Sequence, residues 1–368
     1  MGAKLCIMNY ELRTRLSPVL FHFLHSKMIQ INRHILLALS LCCIASCITS
    51  CVDVEEYPNT TVGNTEALWH IMDEHYCFFE EKKQQLGVDW DEVHARYMQQ
   101  AQAAGTLSPV QLLEFLGGMV AELKDGHVNI STSFDYARNW SWKDDYLHNF
   151  DEDVQKNYLG TDYRISCGIS YRIFDDNTGY IYVPTFENTI GDGNIDEILL
   201  YLAPCNKLII DVRDNGGGLL TQAQKLAARF CQERTLVGYM CHKTGSGHSD
   251  FSPREEQWIE PSAGLRWHKP VMVLTNRSVY SAANEFVKYM KCMPYVTVIG
   301  DNTGGGSGMP YSSELPNGWG VRYSACPMYD ADGGSTEDGV APDVKVDMEA
   351  ADVAKGVDTM IEYARSMK

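Results

Sequence analysis

Two hydrophobic periods alternate along this chain. Short apolar runs, "KLIIDVR", "PVMVLTN" and "YVTVIGD", alternate with stretches of helical spacing, "IDEILLYLA", "LLTQAQKLAARFC" and "SAANEFVKYMK". A continuous apolar run bounded by turn residues reads as a strand buried on both faces. Strand and helix in turn build an α/β layer with much parallel pairing. Ahead of this region, "YRISCGISYRIF" and "YIYVPTF" flank a "DDNTG" turn and read as strands joined by that turn. "TLVGYMCHKT" reads as a further strand, and "MEAADVAKGVDTMIEYARSM" as one closing helix.

The region before the alternation is different. "SPVQLLEFLGGMVAELKDGH" carries Ser108 as an N-cap, Pro109 in the first turn and Gln111 to complete a capping box. Leu112, Phe115, Leu116, Met119 and Leu123 form its apolar stripe. Residues 64–160 are therefore expected as a small helical domain with a cap segment, and 161–368 as the α/β core. The aromatic and charged "NWSWKDDYLHNF" is expected to act as a lid.

A basic n-region (Arg33, His34), an apolar run over 35–44 and small residues before a cysteine form a secretory signal beginning at Met28. Met1–Lys27 lies upstream of it, and Met28 is read as the start. "ITSC" at Cys51, or "IASC" at Cys47, has the form of a lipobox, and the polar "VDVEEYPNT" that follows reads as a tether over 52–63. Cys51 is the expected lipid anchor, holding an exported chain to a bacterial envelope, and the acidic tract after it resembles the surface-export tethers of Bacteroidota lipoproteins, a resemblance that implies the outer membrane. Five of the 12 cysteines lie at or before residue 51, and the remaining seven form no C-x-x-C pair. A metal site or disulfide framework is not expected. A net charge of -17 argues against nucleic acid, which needs a basic face.

Two stretches carry chemistry. In "KLIIDVRDNGGGLLTQ" a buried strand runs into three glycines and a helix. Glycine backbone N–H groups at a helix start can form an anion-binding nest. No lysine and Ser/Thr follow the glycines, which excludes a phosphate loop and leaves an oxyanion site or a packing turn. In "VMVLTNRSVYSAANEF", Ser281 sits between a strand and a helix, with the amide of Ala282 beside it. That is the layout of an elbow nucleophile, and equally of a serine N-cap. A base would come from His70, His75, His94, His127, His148, His242, His248 or His268. His127, at the glycine-broken end of the capped helix, is the best placed. The acid could be Glu337, Asp338 or Asp343 of "STEDGVAPDVKV".

Taken together, "GYIYVPTF", "LIIDVRDNGGG", "VLTNRSVYSAANEF", "VIGDNTGGGSG" and "EDGVAPDV" resemble, in order, the tail-specific or carboxyl-terminal-processing serine proteases. The resemblance implies a Clp-protease/crotonase-like α/β core and hydrolysis of peptide bonds without a cofactor. It implies Ser281 as nucleophile and Gly216, Gly217 and Ala282 as the oxyanion hole. Many members use a lysine base, but Gly306 stands in its place here. The chain thus resembles the tricorn-like branch, which implies His127 as base and Glu337 as acid. The stretch between Ile130 and Tyr163 is too short for an inserted PDZ module, since domains rarely form below ~50 residues. Expected substrates are unfolded proteins or peptide tails. A binding protein on this fold, or a crotonase-like acyl-transfer enzyme, are the rival readings.

Overall fold

The structure, a computed structural model, describes residues 57–367. The signal segment, Cys51 and the first part of the tether lie outside the described residues. Ten helices are described: α1 Thr61–His75, α2 Phe79–Leu86, α3 Trp90–Ala104, α4 Pro109–Ala121, α5 Glu152–Leu159, α6 Asp192–Leu202, α7 Leu220–Ala227, α8 Ala282–Lys291, α9 Ala350–Val353 and α10 Thr359–Ser366. A 3-10 turn covers Ser141–Asp145.

The core sheet has seven strands in the order β13-β10-β9-β6-β5-β4-β3. They are β3 Arg164–Ser166, β4 Ile169–Ile173, β5 Thr178–Tyr182, β6 Lys207–Asp211, β9 Val271–Thr275, β10 Val296–Gly300 and β13 Val344–Lys345. β5, β6, β9, β10 and β13 run parallel, whereas β3 and β4 return as hairpins. Every residue of β9 is buried, as the apolar run demands. Alternate residues serve opposite faces. Leu208, Ile210, Val271 and Val273 pack under α6, α7 and α8, while Ile209, Met272 and Leu274 meet Leu159 of α5 and Met360, Ile361 and Ala364 of α10. Cys167 and Gly168 both take positive φ and make a two-residue turn inside what reads as one strand.

A second sheet, antiparallel, was not legible in the alternation. Its path is β2-β1-β12-β7-β8, with β11 also on β12. The strands are β1 Asn129–Ser131, β2 Tyr136–Ala137, β7 Thr235–Met240, β8 Glu255–Ile259, β11 Gly308–Glu314 and β12 Gly320–Tyr329. The α1–α4 helices bury Leu68, Met72, Leu116 and Met119 against Ile130, Val321 and Tyr323 of this sheet and Leu315 of the β11–β12 turn. Their core is thus completed by residues far downstream, and 57–368 form one compact unit with no division at residue 160. The tether is shorter than expected, because Thr60 caps α1 through Gly63 and the helix starts at Thr61. The closing helix is two helices, broken where Gly356 adopts φ 73 and Asp358 caps α10. The capping box of Ser108 and Gln111 forms as the sequence indicates.

Candidate active site

Ser281 occupies the sharp turn between β9 and α8. Its backbone sits at φ 55, ψ −125, a region that side chains with a Cβ avoid. The turn is held from both sides: Ser281 N–H donates to the Gly305 carbonyl (2.9 Å) and Tyr280 N–H to the Asn215 carbonyl (3.1 Å). The Ser281 hydroxyl does not cap the helix. Its Oγ lies 3.0 Å from Nε2 of His127. Ser278 is a turn residue whose N–H donates to Asn276 Oδ1.

His127 follows α4 through a turn in which Lys124 takes φ 47. Asp125 Oδ1 accepts the His127 N–H (2.8 Å), and Asn129 Nδ2 donates to the His127 carbonyl (2.9 Å). The ring is 4% exposed and meets Tyr280 edge-on at 5.0 Å. Burial, aided by the Arg322 charge, lowers its pKa to about 4, against the opposing pull of Asp125 and the Gly308 backbone. The imidazole is therefore neutral at pH 7. Among the described residues its Nδ1 has no hydrogen-bond partner.

Glu337 is buried in the same cluster. Its Oε2 accepts the Ser307 N–H (3.0 Å) and its Oε1 lies 3.5 Å from Lys82 Nζ. It makes no described hydrogen bond to the His127 ring. Burial, then the Asp125 charge, push its carboxyl up, with Lys82 opposing. Asp338 accepts from Gln85 (2.7 Å), and Asp343 accepts the Val298 N–H (2.8 Å) and pairs with Lys291 (2.9 Å). None of the other candidate histidines bonds to Ser281; His148, for example, pairs with Asp214 at 2.7 Å.

The glycine turn after β6 lies directly on the nucleophile. A Cβ on Gly217 would stand 2.8 Å from Ser281 Cβ and 3.0 Å from Ala282 N. Gly217 is glycine for that approach, and its N–H is already given to Asn215 Oδ1 (2.9 Å). The amides of Gly216 and Ala282 have no described protein acceptor, and Gly216 is exposed on the cleft. Below the turn, fully buried Arg213 is clamped by Asp211 (2.6 Å) and Asp358 (2.8 Å).

Sequence reasoning missed Tyr280. Its ring fills the space beside Gly126 and Gly306: a Cβ on Gly306, at φ 77, would stand 2.3 Å from Tyr280 Cζ. A lysine at 306 has no room, which is the physical reason for the departure seen in "NTGGGSG". Lys82 was also missed, because a lone lysine in "FEEKKQQL" looks like a solvated helix face. Only the buried outcome distinguishes it from Lys83.

Ser281 and His127 open on a cavity of about 450 Å³ also lined by Trp140, Trp142, Lys143, Glu187, Gly218, Arg277 and Arg322. The expected lid segment is docked over it: Trp140 Nε1 donates to the Gly126 carbonyl (3.0 Å). A neighbouring space of about 500 Å³ shares Lys143, Gly216, Arg277 and Ser278 and extends the cleft. Among the described residues no cluster of His, Cys, Asp or Glu could hold a metal, and all seven cysteines are free.

The profile of "Peptidase family S41" matches residues 177–346, the stretch holding the glycine turn, Ser281 and Glu337. The "Carboxy-terminal processing protease CtpA" of Bacillus subtilis (strain 168) is 26% identical over 176 residues, 47% of this chain. The match spans 36% of that relative's length, about a third of it. A crystal structure of a candidate peptidase from Parabacteroides merdae ATCC 43184 is 47% identical, covers 84% of this chain and 96% of its own, and has a TM-score of 0.78. Mature CPAF, at 12% identity, shares the fold over 83% of this chain and 95% of its own with a TM-score of 0.64. On its profile match and its similarity to the Parabacteroides protein over nearly that protein's whole length, this chain belongs to peptidase family S41, the tail-specific serine proteases.

Proposed function

We propose that this protein is a serine endopeptidase that cuts unfolded proteins or peptide tails in the bacterial cell envelope. The observation that carries the reading is the 3.0 Å contact between Ser281 Oγ and His127 Nε2 on a strained turn. In this mechanism Ser281 Oγ attacks the peptide carbonyl, and neutral His127 takes its proton and later gives it to the leaving amine. The tetrahedral oxyanion is received by the amides of Gly216 and Ala282. Gly217 shapes the hole without donating, since its N–H is spent on Asn215. Asp125 and Glu337 supply the negative charge around the imidazolium that forms. Asp125 already acts on the ring in that direction, and Glu337 is the acid that the family resemblance assigns to the triad.

The reaction draws on no cofactor. No helix among the described residues is long and apolar enough to cross a membrane. A lipid on Cys51 is the proposed attachment to the outer membrane.

The test is a Ser281→Ala variant assayed on an unfolded, fluorescently labelled protein. Turnover is expected to vanish while the far-ultraviolet circular dichroism is unchanged. Undiminished cleavage overturns the assignment.

A further inference from the structure

The face of α2 that reads as solvated in sequence is turned onto the loop that carries Glu337. Three side chains on it engage three positions of that loop. Glu81 Oε1 accepts from the Ser335 hydroxyl (2.8 Å), Lys82 Nζ faces Glu337 Oε1 (3.5 Å), and Gln85 Nε2 donates to Asp338 Oδ2 (2.7 Å). Lys82 and Glu337 are 3% and 4% exposed, so this pair is screened little by water.

The loop held in this way supports the nucleophile. The Glu337 carbonyl accepts the Gly306 N–H (3.0 Å), and its carboxylate accepts the Ser307 N–H (3.0 Å). Gly305, packed so tightly on the Glu337 carbonyl that no Cβ fits, gives its own carbonyl to the Ser281 N–H. A continuous path thus runs from the Lys82 ammonium to the strained Ser281 backbone.

Around Glu337 the charged groups are Asp125, Lys82, Glu81 and Asp338. Three of the four are acidic, and Lys82 is the one cation among them. Burial works against the Lys82 ammonium, yet Glu337, Asp125 and the other acids outweigh it and leave its pKa above the ordinary value. Lys82 is therefore charged, and it opposes the burial that drives a proton onto Glu337.

We propose that Lys82 is a positioning residue for the Ser281–His127 pair, holding Glu337 as a carboxylate in the 335–338 loop so that docking of α2 completes the active site. The inference rests on the serine-peptidase reading given above. It makes the amino-terminal helical layer part of the catalytic apparatus, a role separate from substrate capture. The residue acts through Glu337 and touches no substrate.

The experiment uses the whole chain and a peptide substrate, with kcat and KM measured across pH for Lys82→Met, Lys82→Arg, Glu337→Gln and the double variant Lys82→Met/Glu337→Gln. Lys82→Met is expected to lower kcat about tenfold or more with KM within about twofold, by the size of effect typical of groups that position a catalytic base. Its acid limb should move to higher pH, because Lys82 lowers the Glu337 pKa. Lys82→Arg should restore most of kcat. The double variant should match Glu337→Gln within about twofold, since the two residues act as a unit. Where Lys82→Met does not fold, the double variant, which leaves no unpaired buried charge, carries the comparison against Glu337→Gln. A wild-type kcat in Lys82→Met, or losses that multiply in the double variant, overturns the inference. Ser281→Ala run alongside separates the two levels: activity in that variant defeats the peptidase reading itself, whereas its silence with an unaffected Lys82→Met defeats the Lys82 inference alone.

Discussion

The strain at Ser281 makes a prediction of unusual sign. At an ordinary position, replacing alanine by glycine destabilises by about 0.4–1 kcal/mol, because glycine has more freedom to lose. At φ 55, ψ −125 the Cβ of alanine is unwelcome, and residues held in such regions cost about 1–3 kcal/mol. Subtracting the first effect from the second, Ser281→Gly should be more stable than Ser281→Ala by about 1 kcal/mol. Both variants lack the nucleophile, so self-digestion does not disturb the comparison. Equilibrium unfolding in urea reads the difference as a midpoint shift of roughly 0.3–0.5 M in favour of glycine, for an m-value of a few kcal/mol/M. An alanine variant as stable as the glycine variant, or more so, refutes the elbow geometry.

Other expectations follow from the same cluster. The His127 step in the acid limb of kcat/KM should fall near pH 4 in place of the 6.5 of a free histidine, below the step from the raised Glu337 carboxyl, and Arg322→Gln should move the His127 step upward, since Arg322 lowers the His127 pKa. The linked effect on stability has a definite sign. Because the folded pKa is depressed, the unfolded chain binds the extra proton between pH 6.5 and about 4, and the His127 contribution to stability falls by about 3 kcal/mol over that window, readable as the pH-dependent difference in urea midpoint between the wild type and His127→Gln. Gly306→Lys should not install a lysine base. The clash with Tyr280 and the positive φ together should destabilise by about 2–4 kcal/mol and lower kcat, measured by urea midpoint and peptide turnover. Asn215→Ala removes buried partners from the Gly217 N–H and the Val183 carbonyl, which should cost about 2–4 kcal/mol by the same midpoint and weaken the oxyanion hole.

What was legible in the sequence follows from the range of the forces involved. β6 and β9 are readable because burial on both faces writes an uninterrupted apolar run, and α4 because its cap and stripe are local. β8, "EEQWI", is not, since an antiparallel edge strand leaves mostly polar residues outward and only its pairing with β7 defines it. The juxtaposition of Ser281 and His127 spans 154 positions and came from motif order, with no local signal behind it. Lys82, Tyr280 and the spent Gly217 amide were invisible for a common reason. Each is defined by what packs against it, and a helix-surface lysine, a turn tyrosine and a glycine look the same in sequence whether buried or exposed.

Whether Ser281 is an activated nucleophile is read by covalent labelling with a fluorophosphonate, mapped by mass spectrometry. Only an activated hydroxyl reacts at a useful rate. A single adduct on Ser281 is expected, lost in His127→Ala while that variant keeps its fold. An unlabelled wild-type protein, an adduct on another serine, or labelling that survives His127→Ala would contradict it.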